Sequence, residues 1–210
     1  VAAATQDAGP PPPGTITHEA FAVPIIDLHV HIWPTTPEEN DAYIDDLIVA
    51  MDAANVAKVA LGLHARHLPQ RPPTFSPDHD AWVLRTYERY PARIIPMLAG
   101  FDPEDDASVD YVDNQLQTGP WRGIGELDLR NQPKQTQTPA DHPVMMQIYA
   151  LAAQYGVPEL IHHNFCYGIS CEEGEAELLH AATSNPDTTF FVDEDTLAFE
   201  ALSAAGVPVV

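Results

Sequence analysis

Positive charge is scarce in this 210-residue sequence. Nine Lys and Arg stand against 31 Asp and Glu, for a net charge of -22, and Lys58 and Lys134 are the only lysines. Binding to nucleic acid needs basic groups that displace counterions, so this balance excludes it. Docking on an anionic membrane is excluded on the same ground. The plain reading of so many acids is a solvated surface; the sharper one is adaptation to high salt, where screening relieves self-repulsion. Cysteine is nearly absent. Cys166 and Cys171 are too few for a disulfide framework, and free thiols are the default expectation, with pairing or metal ligation as alternatives. No run approaches the ~20 apolar residues of a membrane helix. Phosphate loops and serine nucleophile elbows are also missing.

The chain is 45% hydrophobic, enough for one domain with a sizeable core. Residues 1–22 form an Ala/Pro-rich N-terminal segment that begins VAAATQDAGPPPPG. It is not a signal peptide as it stands. It reads as the remnant of one after cleavage, a linker or the edge of a fragment, which leaves the location open between the cytoplasm and export. From residue 23 to 210, short apolar runs alternate with helical periodicity. Strands are expected at 23–30, 57–63, 93–99, 121–127, 157–162, 188–192 and from 207. Helices are expected at 40–55, 78–90, 104–117, 142–155 (capped by Asp141 and stopped by Gly156), 172–184 and 196–205. Strands separated by helices make a parallel sheet. Seven strand signals without a phosphate loop favour a (β/α) TIM-type barrel, incomplete at about seven of eight strands.

Chemistry concentrates at strand ends. In Asp27-Leu28-His29-Val30-His31, residues two apart share a strand face, so His29 and His31 can grip one metal ion at the C-terminal end of the first strand. Asp27, one step deeper, can orient a ligand from behind it. Gly123-Ile124-Gly125-Glu126-Leu127-Asp128 ends the fourth strand and puts Ile124, Glu126 and Asp128 on one face. A carboxylate buried there is costly unless paired or ligated. Leu160-Ile161-His162-His163-Asn164 ends the fifth strand. One histidine should face the interior and the other the helices, and His162 is the better interior candidate.

Taken in order, IIDLHVHIWP, GIGELDL and VPELIHHNF resemble the amidohydrolase superfamily, especially its amidohydrolase-related (amidohydrolase 2) branch, with features of the TatD-like deoxyribonucleases. The resemblance spans roughly residues 23–192. It implies a distorted TIM barrel with one or two divalent ions, zinc first and manganese, iron or cobalt as alternatives. His29, His31, Glu126 and His162 would be the ligands, and Glu126 and His162 the catalytic residues. It further implies a metal-dependent hydrolase that uses a metal-activated water on an amide, ester, lactone or related bond of a small molecule. Trp33, His64 and His163 are weaker candidates for the substrate pocket.

Two departures stand out. The family pattern has a histidine after the sixth strand, where this chain reads Val192-Asp193-Glu194-Asp195; Asp193 or Glu194 is the possible oxygen ligand. It also has an aspartate after an eighth strand, which this sequence does not reach. Non-oxidative decarboxylation at the same site, a PHP-type phosphoesterase and a non-catalytic barrel are the competing readings, and a homo-oligomer is possible. Loop roles are assigned to Pro34 and His67, and surface positions to His18 and His180.

Overall fold

The computed structural model describes residues 23–30, 36–62, 75, 77–193, 202–204 and 206. Their order is β1 (Ile25–Val30), α1 (Pro37–Ala54), β2 (Val56–Leu61), α2 (Pro77–Arg89), β3 (Ile94–Leu98), α3 (Ala107–Thr118), β4 (Gly123–Asn131), β5 (Thr136–Gln137), α4 (Pro143–Tyr155), β6 (Glu159–His163), α5 (Cys171–Ser184) and β7 (Phe190–Asp193). Six strands form one curled sheet in the order β1-β2-β3-β4-β6-β7, with every neighbouring pair parallel. Short β5 folds back antiparallel on the end of β4. This is the incomplete (β/α) barrel expected from the alternation of runs.

Apolar side chains cover both faces of the sheet, which is why its strands read as continuous hydrophobic runs. Between sheet and helices lie Leu61, Leu98, Leu127, Ile148, Ile161 and Phe190. On the concave face a smaller cluster joins Ala60, Met97 and Leu160, flanked by Ile95 and Phe191. Local signals place the helices between strands. Thr36 Oγ1 accepts the Glu39 N–H to start α1, and Asn55 ends it in the left-handed conformation. Gly156, at φ 66°, ends α4 as expected. Among the described residues no helix is long and apolar enough to cross a membrane.

Several expectations shift. The N-cap of α4 is His142, not Asp141; its Nδ1 accepts the Val144 N–H. β4 runs on to Asn131, and the β4–β5 hairpin was not expected. Cys166 and Cys171 are joined in a disulfide, so neither is a free thiol or a thiolate ligand. Residues 1–22, the strand expected from 207, and most of the helix expected at 196–205 lie outside the described residues; Leu202, within 202–204, is buried in the core.

Candidate metal centre

Four side chains from four strand ends converge at the C-terminal rim of the sheet, where barrel enzymes build their sites. His29 comes from β1, Glu126 from β4, His162 from β6 and Asp193 from β7. His29 Nε2 lies 3.3 Å from Glu126 Oε2, and His29 Nδ1 lies 3.7 Å from Asp193 Oδ2. His162 Nδ1 lies 3.2 Å from Glu126 Oε1 and 3.5 Å from Asp193 Oδ2. Glu126 thus presents one oxygen to each imidazole, and its side chain is 2% exposed. The hydrogen bond to Glu126 raises the His29 pKa; burial works against that, and the charges of Glu126, Asp193 and Asp27 add to it.

Backbone irregularity, not strict alternation, delivers two of these groups. The β1–β2 register slips between Asp27 and Val30, and the adjacent residues Leu28 and His29 both line the concave side. The β4–β6 register slips between Gly125 and Leu127. Gly125 has φ 109°, and a Cβ there would strike the Leu160 carbonyl oxygen, so the turn demands glycine. Across this slip Ile124 faces the helices while Glu126 faces the site; the expectation that they share a face is corrected. Asp27 accepts the His29 backbone N–H at 3.0 Å.

The two histidines of β6 divide as expected. His162 enters the site. His163 turns to the helix layer, where its Nε2 bonds the Gly174 carbonyl of α5 at 3.1 Å and burial lowers its pKa to about 4. It is therefore not a pocket residue, which corrects that assignment. His180 lies on the surface and pairs with Asp141. His31, Trp33, Pro34, His64, His67, His18 and Glu194 lie outside the described residues.

The donor set fits a divalent cation. Two groups have ligand atoms close enough for one ion: His29, Glu126 and Asp193; and Glu126, Asp128 and His162. The His162 tautomer points the same way. The Gln132 N–H donates to Asn164 Oδ1, which fixes that amide, and the same oxygen lies 3.4 Å from His162 Nε2. With Nε2 donating to that oxygen, Nδ1 faces two carboxylates, a position filled by either a proton or a metal ion.

Sequence reasoning weighed Asp193 but did not find Asn164 or Lys134. Lys134 Nζ lies 2.8 and 2.7 Å from the two oxygens of Asp128. The one available signal was its rarity as a lysine. A cavity of about 360 Å³ runs along the concave face, from His29 and Asp193 past Met97, Leu160 and Phe191 to Arg122.

No protein-family profile matches the chain. No curated protein matches it either. Among solved structures it is similar to 2,6-dihydroxybenzoate decarboxylase from Rhizobium, at 15% identity and a TM-score of 0.56 over 80% of this chain and 65% of that one. It is similar to 5-carboxyvanillate decarboxylase from Novosphingobium aromaticivorans, complexed with manganese and 4-hydroxy-3-methoxy-5-nitrobenzoic acid, at 14% identity and a TM-score of 0.57 over 85% and 68%. An uncharacterized TIM-barrel protein from Bordetella bronchiseptica matches at 13% and 0.59 over 89% and 74%. The chain spans less than two thirds of the first of these. At such identities the likeness is one of fold.

Proposed function

We propose that the chain holds a divalent ion among His29, Glu126, His162 and Asp193, and that it is a metal-dependent hydrolase of the amidohydrolase superfamily acting on an amide, ester or lactone bond of a small molecule. The observation that carries this reading is a pair of overlapping ligand sets on the strand-end rim, Glu126 with His29 and Asp193 on one side and with His162 and Asp128 on the other. A bound ion supplies Lewis acidity and an activated water there. The chain's own residues do the rest. Glu126 orients both imidazoles, one from each of its oxygens. Asn164 fixes the His162 ring, and Met97, Leu160 and Phe191 wall the cavity beside the site. Zinc suits the mixed nitrogen and oxygen donors, as do manganese, iron and cobalt.

Non-oxidative decarboxylation of an aromatic carboxylate is the second reading. It is favoured by the decarboxylases among the structures of similar fold, one of them complexed with manganese.

The test is metal content and affinity of the purified protein beside His29→Ala, Glu126→Gln and His162→Ala. Each substitution is expected to weaken binding by about 100-fold or more, since even outer partners of ligands cost 10–100-fold. Metal-loaded protein is then assayed on esters, lactones and amides and, separately, on hydroxybenzoates. Release of CO₂ with no hydrolysis selects the second reading. Native-like affinity in all three variants sinks both.

A further inference from the structure

Glu126 belongs to two groups able to hold an ion, and they are not equivalent. Around His29 and Asp193 the neighbours are imidazole and carboxylate. In the group with Asp128 and His162, Asp128 already carries a cation. Asp128 lies on β4, 5% exposed, and both its oxygens accept from Lys134 Nζ. Asn131 Nδ2 donates to the same carboxylate at 2.7 Å.

The lysine is held in place by the hairpin that carries it. The Lys134 N–H donates to Asn131 Oδ1 at 2.9 Å, so a single asparagine ties the turn backbone to the carboxylate. The Asn131 N–H donates in turn to Thr136 Oγ1, and Asn131 pairs with Thr136 where β5 returns along β4. Gln135, at φ 60°, closes the turn. In a chain with two lysines and 31 acids, one ammonium is thus placed, 15% exposed, against the one carboxylate that a second ion would need.

We propose that the Lys134 ammonium occupies the second-cation position of this centre, so that the site takes one divalent ion. This inference rests on the metal reading above. The physics is mutual exclusion. A divalent ion ligated by Asp128 would sit one carboxylate away from a full positive charge in a poorly solvated site, where like charges repel strongly. The ammonium supplies the charge that balances Asp128 without leaving an open coordination position. One ion and one fixed ammonium replace the two ions of a dinuclear site.

The experiment equilibrates metal-stripped protein with excess Mn²⁺, counts bound ions by elemental analysis, and reads spin coupling by electron paramagnetic resonance. The native chain and Lys134→Arg are expected to hold about one uncoupled ion each, and Lys134→Met about two, coupled. Lys134→Gln repeats the measurement with a polar side chain, so that failure of the Met variant to fold leaves the count readable; circular dichroism checks both. Two ions in the native chain overturn the inference. So does a single ion in a folded Lys134→Met or Lys134→Gln. No bound ion in any form overturns the metal reading itself, and this inference with it.

Discussion

Glu159 stands at the first position of β6, and its neighbours show which way it faces. Leu160 belongs to the concave cluster and Ile161 to the core beneath the helices, so alternation puts Glu159 with Ile161. There it is fully buried, and among the described residues neither carboxylate oxygen has a hydrogen-bond partner. Burial pushes its pKa well above the ordinary value, because the charged form loses its solvation there. The unfolded chain releases the Glu159 proton near pH 4.5. The stability this group allows is therefore complete below about pH 4.5 and is lost as pH rises toward the folded pKa. His163 has the opposite sign. Its pKa is lowered to about 4 by burial, so stability falls as pH drops from 6.5 toward 4. Thermal melts across pH 4 to 8 are expected to show Glu159→Leu gaining on the native chain as pH rises above about 4.5, on top of a pH-independent advantage of about 1–3 kcal/mol from removing an unmatched buried polar group. His163→Gln should flatten the acid side of the same profile. A constant difference between native and Glu159→Leu across that range would sink the burial argument. At this scale the sequence was informative where a polar residue ends an apolar strand, which is how Glu126 and His162 stood out. It was silent on Lys134 and Asp128, six positions apart on a hairpin, because only the return of β5 makes them neighbours.

The loop from β6 to α5 is closed twice. Ser170 Oγ accepts the Glu173 N–H while Glu173 Oε2 accepts the Ser170 N–H, a reciprocal cap at the start of α5. The Cys166–Cys171 disulfide spans the same turn at a separation of five residues. A ring this short removes about 2 kcal/mol of chain entropy from the unfolded state. Reduction, or the Cys166→Ser/Cys171→Ser pair, should lower the melting temperature by roughly 4–8 °C for a domain of this size. The serine variant should then show no further response to reductant. Equal melting temperatures for oxidised and reduced protein would mean that the cap alone holds the turn. The element order was legible because the strands carry apolar side chains on both faces and the helices carry a 3.6-residue period. β5 was not, since Thr136–Gln137 has no apolar pattern and is held by backbone pairing to β4. The extension of β4 through Asp128, Arg130 and Asn131 reads as loop in sequence. It is buried because Glu177 takes the Arg130 guanidinium at 2.6 Å and Lys134 takes Asp128.

Charge is the property that belongs to the whole molecule. Five of the nine basic residues are committed: Arg85 to Asp41, Arg89 to Asp45 and Arg93 to Asp52, strapping α1 to α2 and to the turn before β3, and Arg130 and Lys134 inside the fold. With nine basic residues against 31 acids, most carboxylates have no cation to meet. Two opposing effects of salt follow. Screening weakens the exposed straps, each of small worth in water, and relieves repulsion spread over the surface. The second should win, because a net charge of -22 sums over many pairs while the straps are few. The range of the effect separates it from others. The Debye length falls from about 30 Å at 0.01 M to about 10 Å at 0.1 M, so most of the gain should come below roughly 0.3 M. Relief of about 2 kcal/mol would raise the melting temperature by roughly 4–8 °C over that interval. Sodium chloride and sodium sulfate at equal ionic strength should act alike there. They should diverge only toward molar salt, where exclusion of sulfate from the protein surface strengthens burial. A melting temperature that is flat below 0.3 M and climbs only in sulfate would mean that the acids are simply solvated, and that salt acts on this half-open barrel through its apolar face and not through its charge.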